Sequence, residues 1–174
     1  MRVLGLCGIL ILSACASVFA PKPPTAAASV ELLLTKVCLP YAVDGRSESE
    51  AVVGRGDREI GGDIIHAINP TPMPDNHVYR NRYPGIEQLY IQPPSRMCVV
   101  DLRPDVEMKV ALSAVQAALK ARPEVWEEAG SSDIWCKSGS DVGLKMNTGK
   151  TYGGVERIWI AVASRQCPPP ILHH

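Results

Sequence analysis

The first apolar run, Val3 to Leu12 (VLGLCGILIL), has no polar face at all. From residue 29 the spacing becomes helical: Val30, Leu33, Leu34, Val37 and Cys38 recur at i, i+3, i+4, i+7 and i+8. Thr25 or Ser29 is placed to cap this helix, expected over about 29–38, and Pro40 to end it. Ser47 and Glu50 have capping-box spacing for a short helix through Val53, stopped by Gly54 and Gly56. Residues 54–85 are then dense in Gly and Pro, which predicts a long irregular segment with one short helix near Asp63–Ala67. Long loops of that kind often carry function.

Strand-like patterns follow. Gln88–Gln92 (QLYIQ) and Arg96–Leu102 (RMCVVDL) flank Pro93-Pro94-Ser95, the layout of an antiparallel hairpin. Pro104-Asp105 opens the strongest helix, about 105–121, with Met108, Leu112, Val115 and Leu119 as its stripe and Ala111, Ala114 and Ala118 permitting close packing. Pro123–Ala129 is expected to add one more turn. Asp133–Lys137, Val142–Met146, a turn around Asn147-Thr148-Gly149 and Glu156–Ser164 read as a three-stranded meander. In its last strand Ile158, Ile160 and Val162 alternate with Trp159 and Ala161. The sum is an α+β domain: a mainly antiparallel sheet packed by one long helix and an N-terminal helix, and stapled by disulfides.

The opening segment reads as an address. Met1-Arg2 supplies a charge, and ten apolar residues of helix would rise only ~15 Å, half of a ~30 Å hydrocarbon core. Charge, short apolar run and then small residues is the order of a secretory signal peptide. Leu12-Ser13-Ala14-Cys15 resembles the lipobox of bacterial lipoproteins, which implies diacylation of Cys15 as the mature N-terminus. Ala16 in the next position implies an outer-membrane anchor. Two ordinary cleavage patterns compete, Ala14-Cys15-Ala16 and Val18-Phe19-Ala20. The expected layout is a signal peptide over 1–14, a Pro/Ala-rich tether over 15–28, one domain over 29–167 and a Pro-rich tail over 168–174.

Composition narrows the classes. The chain has 174 residues, with 18 Lys+Arg against 18 Asp+Glu, so it lacks the basic excess of a usual nucleic-acid binder. Hydrophobic residues make up 46%, enough for a core. Cys38, Cys98, Cys136 and Cys167 form an even set in an exported chain, which reads as two disulfides with three connectivities open. Cys38–Cys98 with Cys136–Cys167 is the pairing we expect, although spacing alone does not decide it. No C-x₂-C pair or suitably spaced His points to zinc.

Candidate chemistry is sparse. Asp63 and His66 would share a helical face at i, i+3, so that a carboxylate could orient an imidazole, and His77 could join them as a third metal ligand. The plainer reading is a half-buried His bonded to a carboxylate, with His77 solvated. Glu127-Glu128 beside Trp126 fits a solvated helix end better than a glycosidase acid. No nucleophile elbow, H-E-x-x-H, Walker loop or dinucleotide fingerprint occurs, so no catalytic residue, metal or cofactor is implied. Tyr79-Arg80-Asn81-Arg82-Tyr83 is the best recognition candidate, because Tyr and Arg dominate binding hot spots. Its plainer reading has Tyr79 and Tyr83 covering the hairpin while Arg80 and Arg82 stay in solvent.

Two further resemblances bear on function. Ser138-Gly139-Ser140 is similar to the start of the motif of periplasmic lysozyme inhibitors, but Asp141, Gly143 and Leu144 stand where a Gly, a basic residue and a Tyr belong. Val37-Cys38-Leu39-Pro40, Cys98-Val99-Val100 and the Ala/Leu helix after them resemble small uncharacterised exported proteins of Gram-negative bacteria. That likeness implies Cys38–Cys98 pairing and no activity. The expectation is a non-enzymatic interaction or assembly protein, held by a lipid at the periplasmic face of the outer membrane, or else soluble in the periplasm or secreted. Its partner would be an envelope protein or cell-wall component, toward which the loop 54–85 is displayed. A hydrolytic or metal-dependent enzyme using Asp63 and His66 is the first rival, and a lysozyme-type inhibitor the second.

Overall fold

The computed structural model describes residues 25–52, 64–67, 77–81, 83–130, 133–150 and 154–167. The expected signal peptide, the expected tether before Thr25 and the segment after Cys167 lie outside them, as do Cys15, Asp63 and Arg82.

The helical layer begins at Thr25, whose Oγ1 accepts from the Ala28 N–H at 3.1 Å and caps α1 (Ala26–Leu33). Pro40 does not end this helix. A π turn over Leu34–Cys38 closes the Leu39 N–H onto the Leu34 carbonyl, and α2 (Leu39–Ala42) follows without a break. Pro40 thereby falls in the first turn of α2, where a missing N–H is tolerated. The Ser47–Glu50 capping box forms and starts α3 (Glu48–Val52): each residue's side chain accepts from the other's backbone N–H, at 3.0 and 3.3 Å. The long helix, α4 (Met108–Lys120), starts three residues later than the pattern suggests. Arg103 to Val106 form a turn instead, closed by Val106 N–H to Arg103 O at 3.1 Å, which buries Val106. Ala111, Ala114, Val115 and Ala118 are the buried centre of α4, and their short side chains let α1 pack closely on it.

Among the described residues eight strands form one antiparallel sheet: β1 (Ile64–Ala67), β2 (His77–Asn81), β3 (Ile86–Gln92), β4 (Met97–Leu102), β5 (Trp126–Glu128), β6 (Ile134–Lys137), β7 (Gly143–Lys150) and β8 (Glu156–Ala163). Their order is β1-β2-β3-β4-β8-β7-β6-β5, so two four-stranded meanders meet where β4 pairs with β8. Alternation sends Leu89, Ile91, Val100, Leu102, Leu144, Ile160 and Val162 to the helices, all 0% exposed. Gly85, at φ +72, turns the chain into β3 where an added Cβ would collide with the Ala26 Cβ, so no side chain fits.

The sheet is larger than the pattern predicted. Ile64–Ala67 is a strand, not a short helix: four residues do not sustain an isolated helix, and the β-branched Ile64 and Ile65 gain a ladder with β2. Residues 54–85 are therefore not one irregular loop. Trp126–Glu128 pairs with β6 instead of making a helical turn. Asn147-Thr148-Gly149 is not a turn either, because β7 continues to Lys150, with Gly149 opposite Arg157. Two disulfides hold the layers. Cys38–Cys98 (Cα–Cα 5.1 Å) ties the π turn to β4, and Cys136–Cys167 (5.8 Å) ties β6 to the segment leaving β8.

Candidate functional site

The described helices pack on one side of the sheet's centre, and the alternate residues of β3, β4, β8 and β7 face the other way. On that side stand Tyr90, Val99, Asp101, Arg157, Trp159 and Gly149. Asp101 is paired in register with Trp159, and Gly149 with Arg157. Arg157 reaches diagonally to Asp101, with Nη1 donating to Oδ2 at 2.9 Å. These residues and Lys150 line a depression of about 310 Å³. A second depression of about 560 Å³ shares Gly149, Lys150 and Arg157, and runs past the sheet's end to Arg103, Glu107 and Met108 at the start of α4.

Three features set this face apart from an ordinary solvated sheet. Trp159 lies across β7: a Cβ added to Gly149 would be 2.6 Å from its Cη2, so the indole rests where any other residue would put a side chain. Asp101 is only 8% exposed, and burial raises its pKa above the ordinary value although the Arg157 charge and hydrogen bond pull it down. Burial, then the Asp101 charge, likewise raise the pKa of Tyr90, whose hydroxyl donates to Gln88 Oε1. Finally, Arg157 Nε is buried with no hydrogen-bond partner among the described residues. Leaving such a donor unmatched costs about 1–3 kcal/mol.

The residues singled out in the sequence fare differently. Tyr83 is 0% exposed and Tyr79 8%, so both aromatic rings of the expected recognition loop are core. Arg80 sits in β2 opposite Gln88, and Arg82 lies outside the described residues. His66 is in β1, a strand and not the expected helix, and Asp63 lies outside the described residues. Among the described residues no group of three or more His, Cys, Asp or Glu could hold a metal ion. His77 is not in a loop but opens β2, with Nδ1 2.6 Å from Glu48 Oε1. The Tyr79 hydroxyl donates to the same carboxylate, and burial, then that bond, hold its pKa well above the ordinary value. Glu48 thus fastens α3 to β2. Glu127 and Glu128 are exposed on β5, and Ser138-Gly139-Ser140 turns the chain between β6 and β7.

Sequence reasoning missed the Asp101–Arg157–Trp159 set. Its only signal was a polar residue inside each of two strong strands, which reads as ordinary alternation until β4 is known to pair with β8. Compared with family models, with curated proteins and with solved structures, the chain has no match.

Proposed function

We propose that this chain is a non-enzymatic interaction or assembly protein of the bacterial envelope, exported and lipid-anchored through Cys15, and that it takes its partner on the sheet face opposite the described helices. The observation that carries this reading is the platform of Trp159 and Tyr90 around the partly buried Asp101–Arg157 ion pair. Aromatic and Arg side chains in desolvated surroundings are the usual anchors of binding sites. Two disulfides suit an oxidising compartment outside the cytosol, in keeping with the signal-like start. The partner is an envelope protein or a cell-wall component.

The test is photo-crosslinking in intact cells. A photoreactive residue replacing Asn147, at the rim of the face, is compared with one replacing Ser113, exposed on α4. A discrete adduct from position 147 alone supports the reading. Equal labelling from both positions, or none from either, overturns it.

A further inference from the structure

We infer that the outer edge of β5 is a second interaction surface, which takes an extended basic peptide as an added strand and seats one of its large apolar side chains between β5 and α4. The edge lies at the end of the sheet order, three strands away from β8 and its Trp159, and adds a surface to the one proposed above.

The backbone supplies the first argument. Among the described residues no strand pairs with the outer side of β5. Val125 accepts from the Ser138 N–H and Ala129 donates to the Ile134 carbonyl, both at 2.9 Å. The odd-numbered residues therefore turn their backbone groups toward β6, and alternation turns those of Trp126 and Glu128 outward. Two N–H and two C=O groups thus face an incoming strand, the arrangement by which peptides extend a sheet.

The flanking surface supplies the second. A depression of about 330 Å³ lies between β5 and the last turns of α4, with Leu119, Trp126 and Trp135 as its apolar wall. Facing residues of paired strands share a side, so the residue opposite Trp126 on an added strand would stand over this depression. Just before β5, Val125 is 63% exposed, more than any other large hydrophobic residue among those described.

Charge names the partner. Glu127 and Glu128 are exposed, and neither is in an ion pair among the described residues. Arg122 in the depression is held by Asp44 and Glu124, and Lys137 stands on β6, behind β5. Lys120 is the remaining cation, on α4. The charges that an added strand faces directly are the two acids, which favour Lys or Arg in the opposing positions. A second copy of this chain does not supply them. Antiparallel pairing of β5 with itself about Glu127 or Glu128 sets that residue against its own copy, and pairing about Trp126 sets Glu124 against Glu128. A short acidic edge is thus guarded against its own kind and open to a basic strand. The occupant reads basic, basic, apolar opposite Glu128, Glu127 and Trp126.

The experiment titrates the protein with a capped peptide that carries Lys-Lys-Phe between Thr-Val repeats and, separately, with its Glu-Glu-Phe counterpart. Calorimetry gives affinity, and amide hydrogen exchange read by NMR gives the place. The Lys peptide is expected to slow exchange at Trp126 and Glu128 and to bind at least tenfold more tightly than the Glu peptide. N-methylation of its Phe, whose N–H faces β5, should cost at least tenfold, while N-methylation of the second Lys, whose N–H points away, should cost little. Replacing both exposed acids, Glu127→Lys with Glu128→Lys, should reverse the preference to the Glu peptide. Equal binding of the two peptides, no binding at millimolar peptide, or binding that leaves exchange at Trp126 and Glu128 unchanged overturns the assignment. Protection of those two amides that grows with protein concentration in the absence of peptide makes a second copy the occupant, and overturns it as well.

Discussion

Gly149 and Gly143 lie on the same strand and the same face, and replacing each by Ala should have opposite consequences. At Gly149 the new Cβ would meet Trp159 Cη2 at 2.6 Å and Cζ3 at 3.0 Å, the far end of a half-buried ring that can swing outward. Chain entropy favours Gly→Ala by about 0.4–1 kcal/mol where the backbone is unstrained. That gain offsets much of the cost of displacing the indole, so Gly149→Ala should change stability by less than ~1 kcal/mol. At Gly143 the Cβ would meet the Cys167 Sγ at 2.6 Å and the Gln166 Cβ at 2.9 Å, atoms held by the Cys136–Cys167 bridge. Nothing there can give way cheaply, and overpacking of that kind costs about 1–3 kcal/mol. Urea unfolding measures both, and the Trp159 indole resonance shows where the ring goes. We expect Gly149→Ala to move that resonance and to weaken partner binding with stability nearly intact, while Gly143→Ala does the reverse. An unmoved indole in Gly149→Ala, or equal losses of stability in the two variants, would refute the platform geometry.

Replacing both cysteines of a bridge by Ala should cost about 4.3 kcal/mol for Cys38–Cys98 and about 3.7 kcal/mol for Cys136–Cys167, from separations of 60 and 31 residues in the chain-entropy relation. Urea midpoints that reverse this order would count against an entropic origin. Tyr83→Ala should lose about 3–5 kcal/mol, as for other large aromatic side chains removed from a core. A small loss would return Tyr83 to the surface role that its sequence context suggested. Asp101 carries a pH signature. Its folded pKa is raised above the ordinary value near 3.8, so the folded state takes up a proton before the unfolded state does. Stability should therefore rise relative to Asp101→Asn as pH falls through the folded value toward the unfolded one. A relative fall, measured by urea unfolding at successive pH values, would mean that the attraction of Arg157 outweighs burial.

The sequence by itself determined whatever rests on neighbours along the chain. The helix of residues 108–120 and the Thr25 and Ser47–Glu50 caps each need partners within four positions, and each formed, although Met108 of the expected stripe is exposed and the buried face is Ala111, Ala114, Val115, Ala118 and Leu119. The hairpin across Pro93–Ser95 is equally local, since three residues leave two strands no other way to meet. The cysteine pairing followed the expected order, although spacing left three choices open. Tertiary structure decided the rest. Ile64–Ala67 and Trp126–Glu128 are too short to declare themselves, and became strands because β2 and β6 offered them ladders. Tyr79 and Tyr83 changed from a recognition pair to core once β2 joined the sheet, since burial belongs to the assembled face and not to the side chain. The candidate site appears only when β4 meets β8, across a separation that no local period spans. Asp101 and Arg157 are 56 residues apart in the chain, and strand pairing alone brings them within a hydrogen bond.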